Sequence, residues 1–257
     1  MSRLKSYILN IVNNRFINNI IILLKLDHRI DYTDSFWKNR QYDSNKSLVE
    51  NVGLSNHPQI EEELKNTHDL LKQYYLKYCD EQSTILDIGC GVGLYLCDFK
   101  NPKRLTGVDL NSEFLHKAKQ LLPEATFLEG DYLKLKMPVS YNLIYLFTVM
   151  QYIKPSQFDT FVKKLATDLK PGGIVFISYS HALTKGDMAF NDLTYVRYSP
   201  DIVKKSFSAH FNIIVHEHFY DKREVTSYDT IHHFYPNGRN DRKDTQRNTY
   251  LLVAQKK

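Results

Sequence analysis

The chain has 257 residues and a mass of 30.2 kDa, enough to bury a substantial core in one large or two small domains. It is 42% hydrophobic and 25% charged, a globular composition, and its net charge of +5 is not gathered into a dense basic run of the kind that marks a nucleic-acid partner. Cys79, Cys90 and Cys97 are odd in number and lack C-x-x-C spacing, which argues against a disulfide framework or a zinc site and fits a reducing cytoplasm.

Residues 1–82 read as a helical extension ahead of a main domain at 83–257. Its first segment carries Leu4, Ile8, Ile11, Val12, Ile20 and Leu24, interrupted by asparagines, with Arg3, Lys5, Arg15 and Lys25 and no acid. That pattern predicts a basic amphipathic helix over residues 4–26, packed on the domain or on a partner subunit, so a homodimer is allowed; a membrane-surface helix is the alternative. No small-residue cleavage site follows, so no signal peptide is expected, and no run of about 18 apolar residues suggests a transmembrane span. Residues 27–58 are polar and aromatic, a loop with short turns that includes Phe36-Trp37-Lys38-Asn39-Arg40-Gln41-Tyr42. Ile60, Leu64, Leu70, Leu71 and Tyr74 then predict a long helix over 59–78.

From Ser83 strands alternate with helices, the pattern of a parallel sheet. Strands are expected at 84–88, 104–109, 125–129, 141–146 and 174–179, with helices at 93–99, 112–121, 149–152 and 156–169 between them. Two further strands, Phe211 to Glu217 and Tyr250 to Gln255, flank a long insertion at 219–248.

The first strand runs into Asp87-Ile88-Gly89-Cys90-Gly91-Val92-Gly93. Glycines let the chain turn tightly and let a ligand approach the main chain. A strand ending in such a turn holds a nucleotide at the carboxyl edge of a doubly wound sheet; a tight turn with no ligand is the alternative for the loop taken alone. A dinucleotide fingerprint requires G-x-G-x-x-G, but the third position here is Leu94, and the glycine falls one residue early at Gly93. Strand two ends in Asp109, 22 residues after Asp87, where an acid accepts both hydroxyls of a ribose or, alternatively, caps the next helix. Gly130-Asp131-Tyr132 follows strand three, and Lys170-Pro171-Gly172-Gly173 reads as the turn before strand five.

Asp87, Gly89, Gly91 and Gly93 resemble, without a gap, motif I (D/E-x-G-x-G-x-G) of the class I S-adenosylmethionine-dependent methyltransferases, and the matches continue in order over about residues 83–180. The resemblance implies an α/β, doubly wound, Rossmann-like fold: a seven-stranded, mostly parallel sheet with helices on both faces and an N-terminal helical lid. It implies S-adenosylmethionine as cofactor and S-adenosylhomocysteine as product. The cofactor would be held by Asp87, Gly89, Cys90, Gly91 and Gly93, by Asp109 and Leu110 at the ribose, and by Asp131 and Tyr132 at the adenine, with Phe147 and the segment after it beneath the methyl donor. Asp131 as a simple turn aspartate is the alternative. Tyr141-Asn142 departs from the Phe-Asp of many members, and the absence of Asn-Pro-Pro-Tyr counts against nucleobase and glutamine acceptors.

The reaction implied is in-line attack of an oxygen or nitrogen on the sulfonium methyl, accelerated by holding the two partners in line. A hydroxyl acceptor benefits from a general base. His181, just past strand five, is the first candidate and His232 and His233 in the insertion are the next; a surface role is the alternative for each. Trp37, Tyr42, Gln151, Tyr152 and Tyr179 are candidates for the substrate pocket or lid. Arg239, Arg242 and Arg247 in the insertion could hold a phosphate, or line a solvated loop. Apart from Asp109 and Asp131 no carboxylate cluster stands out, so no metal is expected. The expected function is methyl transfer to a small molecule in the cytoplasm, and a narrower resemblance points to a sugar or a phosphorylated or phosphoramidate precursor of a bacterial capsule. RNA or protein methylation is the rival activity, although no basic stripe with interleaved aromatics supports RNA. A non-catalytic scaffold is the rival of another class.

Overall fold

In the computed structural model, which describes residues 33–52, 58–180, 189–192, 195–218 and 249–257, two short helices, α1 (Thr33–Lys38) and α2 (Leu48–Asn51), precede a long one, α3 (Pro58–Tyr78). Then come β1 (Ile85–Ile88), β2 (Leu105–Asp109), α4 (Ser112–Leu121), β3 (Thr126–Glu129), β4 (Tyr141–Phe147), α5 (Phe158–Asp168) and β5 (Leu169–Ser180). A hairpin of β6 (Ala189–Asp192) and β7 (Tyr195–Arg197), helix α6 (Pro200–Ser208), β8 (Phe211–His218) and β9 (Thr249–Lys256) complete the described chain.

Seven strands form one sheet in the order β3-β2-β1-β4-β5-β9-β8. β1 through β5 are mutually parallel, and β9 is antiparallel to both its neighbours. The strands alternate with period two. Leu143, Tyr145 and Phe147 of β4 enter one core, while Ile144 and Leu146 enter the other. Strands apolar on both faces must be covered on both faces. α3 and α4 cover one with Leu71 and Leu115; α5 and α6 cover the other with Phe161, Val162, Leu165, Val203 and Phe207. Each such side chain contributes roughly 1.5–3 kcal/mol by leaving water.

Several local expectations are corrected. The helix expected at 93–99 shrinks to a single 3-10 turn at Leu96–Asp98. The glycine loop keeps the chain in turns as far as Tyr95, and Pro102 soon opens the approach to β2. The helix expected at 149–152 is likewise a 3-10 turn, Met150–Tyr152, and the one expected at 156–169 opens with a 3-10 turn at Pro155–Gln157. Lys170-Pro171-Gly172-Gly173 is no separate turn. It lies inside β5 as a bulge, where the register against β4 shifts, Gly172 takes φ +73° and its carbonyl accepts a bond from Gln255 Nε2 at 2.8 Å. The hairpin β6–β7 and α6 had no counterpart in the sequence reading. The amphipathic segment 4–26 and the insertion 219–248 lie outside the described residues.

Candidate active site

The carboxyl end of β1 turns sharply because Gly89 adopts φ +74° and Gly91 φ +52°, conformations that side chains disfavour. Space forbids a side chain as well: a Cβ on Gly89 would collide with Val149 Cγ2, and one on Gly91 would lie 2.9 Å from Val52 Cγ1. Both Gly89 N–H and Cys90 N–H donate to Val108 O, at 2.7 and 3.1 Å, which fastens the loop to the end of β2. The thiol of Cys90 points into the core beside Gly107, and burial pushes its pKa well up, so that side chain is packing.

Asp109 is the hub of this end. Its Oδ2 accepts Gly91 N–H at 2.9 Å and its Oδ1 accepts Asn111 N–H at 2.9 Å. The helix cap is Asn111, whose Oδ1 accepts Phe114 N–H at 2.9 Å, so Asp109 is left free of the capping role considered for it. Burial raises the Asp109 carboxyl above the usual carboxylate range, opposed by the bonds from Asn111, Gly91 and Leu110. Leu110, beside it, is half-buried.

Asp87 is buried at 3% exposure, and its Oδ2 has no hydrogen-bond partner among the described residues. Burial pushes its carboxyl well above the usual range; the nearby Tyr145 hydroxyl opposes this and the Asp109 charge reinforces it. An unpartnered buried carboxylate oxygen is costly. It suits a ligand that brings a positive charge.

The adenine candidates are committed to local structure. Asp131 Oδ1 accepts Leu133 N–H at 2.9 Å, and Lys134 pairs with its Oδ2 at 3.2 Å, the pattern of a turn aspartate. Tyr132 is buried at 5% exposure, packs edge-on against Phe161 and donates its hydroxyl to Asp168 Oδ2 at 2.8 Å. The ring is thus engaged in the core beneath the sheet edge. Tyr179 is similarly buried, with its hydroxyl 2.7 Å from His216 Nε2.

On the other side of the loop the structure brings the aromatic segment and the β4 end together. Asn111 Nδ2 donates to Trp37 O at 2.8 Å and to Arg40 O at 2.7 Å, while Tyr42 N–H donates to Glu113 Oε2 at 2.8 Å. The Trp37 ring meets Tyr152 edge-on at 6.1 Å. Arg40 lies 5.3 Å from the Trp37 ring centre and donates to Glu50 O at 3.0 Å; burial lowers its pKa. No carboxylate among the described residues is paired with it. Gln151 is buried at 4% exposure, and its Oε1 lacks a partner among the described residues. Phe147, the last residue of β4, packs on Tyr95 with ring centres 4.5 Å apart.

Two features escaped the sequence reading. Thr148 takes φ +56°, a strained conformation for a β-branched residue, right after β4. His68 on α3 pairs with Asp98 at 2.6 Å. Helical spacing places residue 68 beside Leu71 and Leu64, but nothing in sequence links it to residue 98. His181, His232 and His233 lie outside the described residues.

Residues 85–173 match the family model described as "Methyltransferase domain". Over this segment the chain is similar to methyltransferase domains. Outside it, similarity thins. The chain is 30% identical over 120 residues to the trans-aconitate 2-methyltransferase of Azoarcus sp. (strain BH72), a match covering 46% of each chain. It is 33% identical over 132 residues to the malonyl-[acyl-carrier protein] O-methyltransferase of Priestia megaterium (strain DSM 319 / IMG 1521), covering 49% of this chain and 45% of the relative. The chain thus spans about half the length of the curated relatives it matches. In fold, it resembles the N-methyltransferase NodS of Bradyrhizobium japonicum WM9, crystallised with S-adenosyl-L-homocysteine: the TM-score is 0.62 at 16% identity, over 88% of this chain and 99% of that one.

Proposed function

We propose that this chain transfers a methyl group from S-adenosylmethionine to an oxygen or nitrogen of a small molecule. The observation that carries the reading is the joined geometry of the methyltransferase domain's loop. Gly89 and Gly91 are held in turns that admit no side chain, Gly91 N–H is fixed by Asp109, and Asp87 Oδ2, close by in sequence, has no partner among the described residues. These residues fit the cofactor. Asp109 would hold the ribose, the glycine loop would let the ligand lie against the main chain, and Asp87 would offset positive charge. The cofactor supplies a methyl group activated on a sulfonium sulfur. The protein's part is to hold the acceptor in line and exclude water. Trp37, Arg40 and Tyr42, fastened to α4 through Asn111 and Glu113, serve as the lid over that site.

Arg40 supports an acidic acceptor. A half-buried guanidinium with no paired carboxylate among the described residues is stabilised by an anion on its ligand. Carboxylates and phosphates both meet that requirement, and the names of the relatives, trans-aconitate and malonyl-[acyl-carrier protein] methyltransferases, agree with it. A phosphorylated sugar precursor of a bacterial capsule remains the narrower proposal. A Streptomyces venezuelae relative, 30% identical over 100 residues, is a dTDP-amino-sugar N,N-dimethyltransferase. No helix among the described residues is long and apolar enough to cross a membrane. Incubation with methyl-deuterated S-adenosylmethionine and a fractionated bacterial extract tests the reading. Label in an acidic metabolite supports it; label in RNA or protein overturns the substrate class.

A further inference from the structure

In the strand order β3-β2-β1-β4-β5-β9-β8 the sheet grows one way from β1 and the other way from β4, so the crevice at its carboxyl edge opens between these two strands. Asp87 pairs with Tyr145 across that boundary, and Phe147 pairs with Ser178 on β5. Thr148 is therefore the first residue past the sheet at the crevice, and it is exposed. Its neighbour Val149 lies against the glycine loop, where a Cβ on Gly89 would collide with Val149 Cγ2. Tyr152, in the turn that follows, meets the Trp37 ring edge-on at 6.1 Å, and Arg40 lies 5.3 Å from that ring's centre. Thr148 is held from both sides: its N–H donates to Ser178 O at 3.3 Å and its hydroxyl to Phe147 O at 2.7 Å. Its φ of +56° is costly for a β-branched residue and persists because the surroundings impose it. With its hydrogen committed to Phe147, Oγ1 has only lone pairs to offer a ligand. It can accept from an N–H or O–H group, and a carboxylate has neither to give.

We propose that Thr148 Oγ1 accepts a hydrogen bond from an amine on the acceptor molecule and so aims the nitrogen lone pair at the methyl carbon. The inference rests on the methyl-transfer reading above and narrows it to N-methylation of a molecule whose anion meets Arg40. A threonine hydroxyl is not a base, so it suits a nucleophile that attacks before it sheds a proton. A neutral amine does this, whereas an alcohol needs its proton removed as the bond forms. The nitrogen lone pair forms the new bond to carbon, and the carbon–sulfur bond breaks with its electron pair left on sulfur. The methylammonium product then gives its proton to water at the exposed edge. Thr148 stays neutral throughout, and what it supplies is alignment.

Three variants of the full chain separate recognition from structure. Thr148→Val removes the hydroxyl and keeps the shape, Thr148→Ser keeps the hydroxyl, and Thr148→Gly removes the side chain together with the strain. Each is titrated with S-adenosylhomocysteine by calorimetry. Each is also assayed for transfer of label from methyl-deuterated S-adenosylmethionine to the acidic-metabolite fraction of a bacterial extract, with the product fragmented by mass spectrometry. The expected label is an N-methyl group. Transfer should slow by about 10- to 100-fold in Thr148→Val and Thr148→Gly and recover to within a few-fold of the wild type in Thr148→Ser. All three should still bind S-adenosylhomocysteine. Label on an oxygen overturns the amine and so the proposal. Thr148→Val as fast as the wild type, or Thr148→Ser as slow as Thr148→Val, overturns the role of Thr148; so does loss of S-adenosylhomocysteine binding in Thr148→Val, because the residue would then serve the cofactor. These results leave the methyl-transfer reading intact. A wild-type chain that binds no S-adenosylhomocysteine, or that binds it and labels no small molecule, overturns that reading and this inference with it.

Discussion

At the β1–β2 end of the sheet edge, the groups that shape the site answer one another at short range: Asp109 fixes Gly91 across 18 residues of sequence. On the β4 side the same edge is completed from far away. Asn111 holds the carbonyls of Trp37 and Arg40 across 74 and 71 residues, and α3 brings His68 to Asp98. Among the described residues, the buried side chains of the first region are satisfied apart from Asp87 Oδ2. The second leaves Gln151 Oε1 unpartnered among the described residues and Arg40 without a paired acid. A loop that must present the same cofactor geometry can be written into one motif. A pocket for a particular acceptor is assembled from separate elements, and its unmet polar groups mark where a ligand completes it.

The sharpest way to break this contrast is Gly89→Ala. A side chain there meets both a positive φ and Val149, so stability should fall by roughly 1–3 kcal/mol and S-adenosylhomocysteine binding should be lost. Chemical denaturation and calorimetry check the two effects. A variant that folds and binds like the wild type would falsify the close-approach argument.

Next in size is Asn111→Ala. It removes a helix cap, which costs about 0.5–2 kcal/mol, together with both donors to the aromatic segment. Trp37 is the chain's one tryptophan, so its emission should shift to the red as the segment loosens. An unchanged spectrum would mean that the segment is held by something else.

Asp87 gives a signed pH effect. Burial raises its folded-state pKa, so its contribution to stability is fully present below the unfolded value and is lost as pH rises through the folded one. Asp87→Asn should therefore be more stable than the wild type at neutral pH, with the gap opening as pH climbs above the ordinary carboxylate range. The same variant should bind S-adenosylhomocysteine or S-adenosylmethionine more weakly. Denaturation across pH, paired with calorimetry, separates the two; a pH-independent gap would contradict the assignment.

The smallest effect concerns Thr148. Replacing it by glycine removes the strain of φ +56° and should raise stability by up to about 1 kcal/mol, measurable as a higher Tm. A lower Tm would show that its side-chain bond to Phe147 O at 2.7 Å outweighs the strain.

How much of this was legible follows the same division. The succession of strands and helices could be read because runs such as Leu143, Ile144, Tyr145 and Leu146 are apolar at every position; that they alternate between two cores is seen only in the structure. The glycine loop could be read because its residues are adjacent. The helix at 93–99 could not, since local propensity does not reveal that the loop's turns run on to Tyr95. Lys170-Pro171-Gly172-Gly173 looked like a turn because proline and glycine also make bulges, and only pairing with β4 and β9 distinguishes the two. Tyr132 looked available because its burial depends on α5, 36 residues away at Asp168. The His68–Asp98 pair was invisible for the same reason: one partner sits on a helix before the sheet and the other in a turn within it.

The central claim is that the β1 loop and Asp109 form a working cofactor site. Calorimetric titration of S-adenosylhomocysteine into the wild-type chain and into Asp109→Ala tests it most directly. The account predicts one-to-one binding by the wild type, weakened on the order of 10–100-fold by loss of bonds to a charged group worth about 1.5–3 kcal/mol. No binding by the wild type, or equal binding by both, would contradict it.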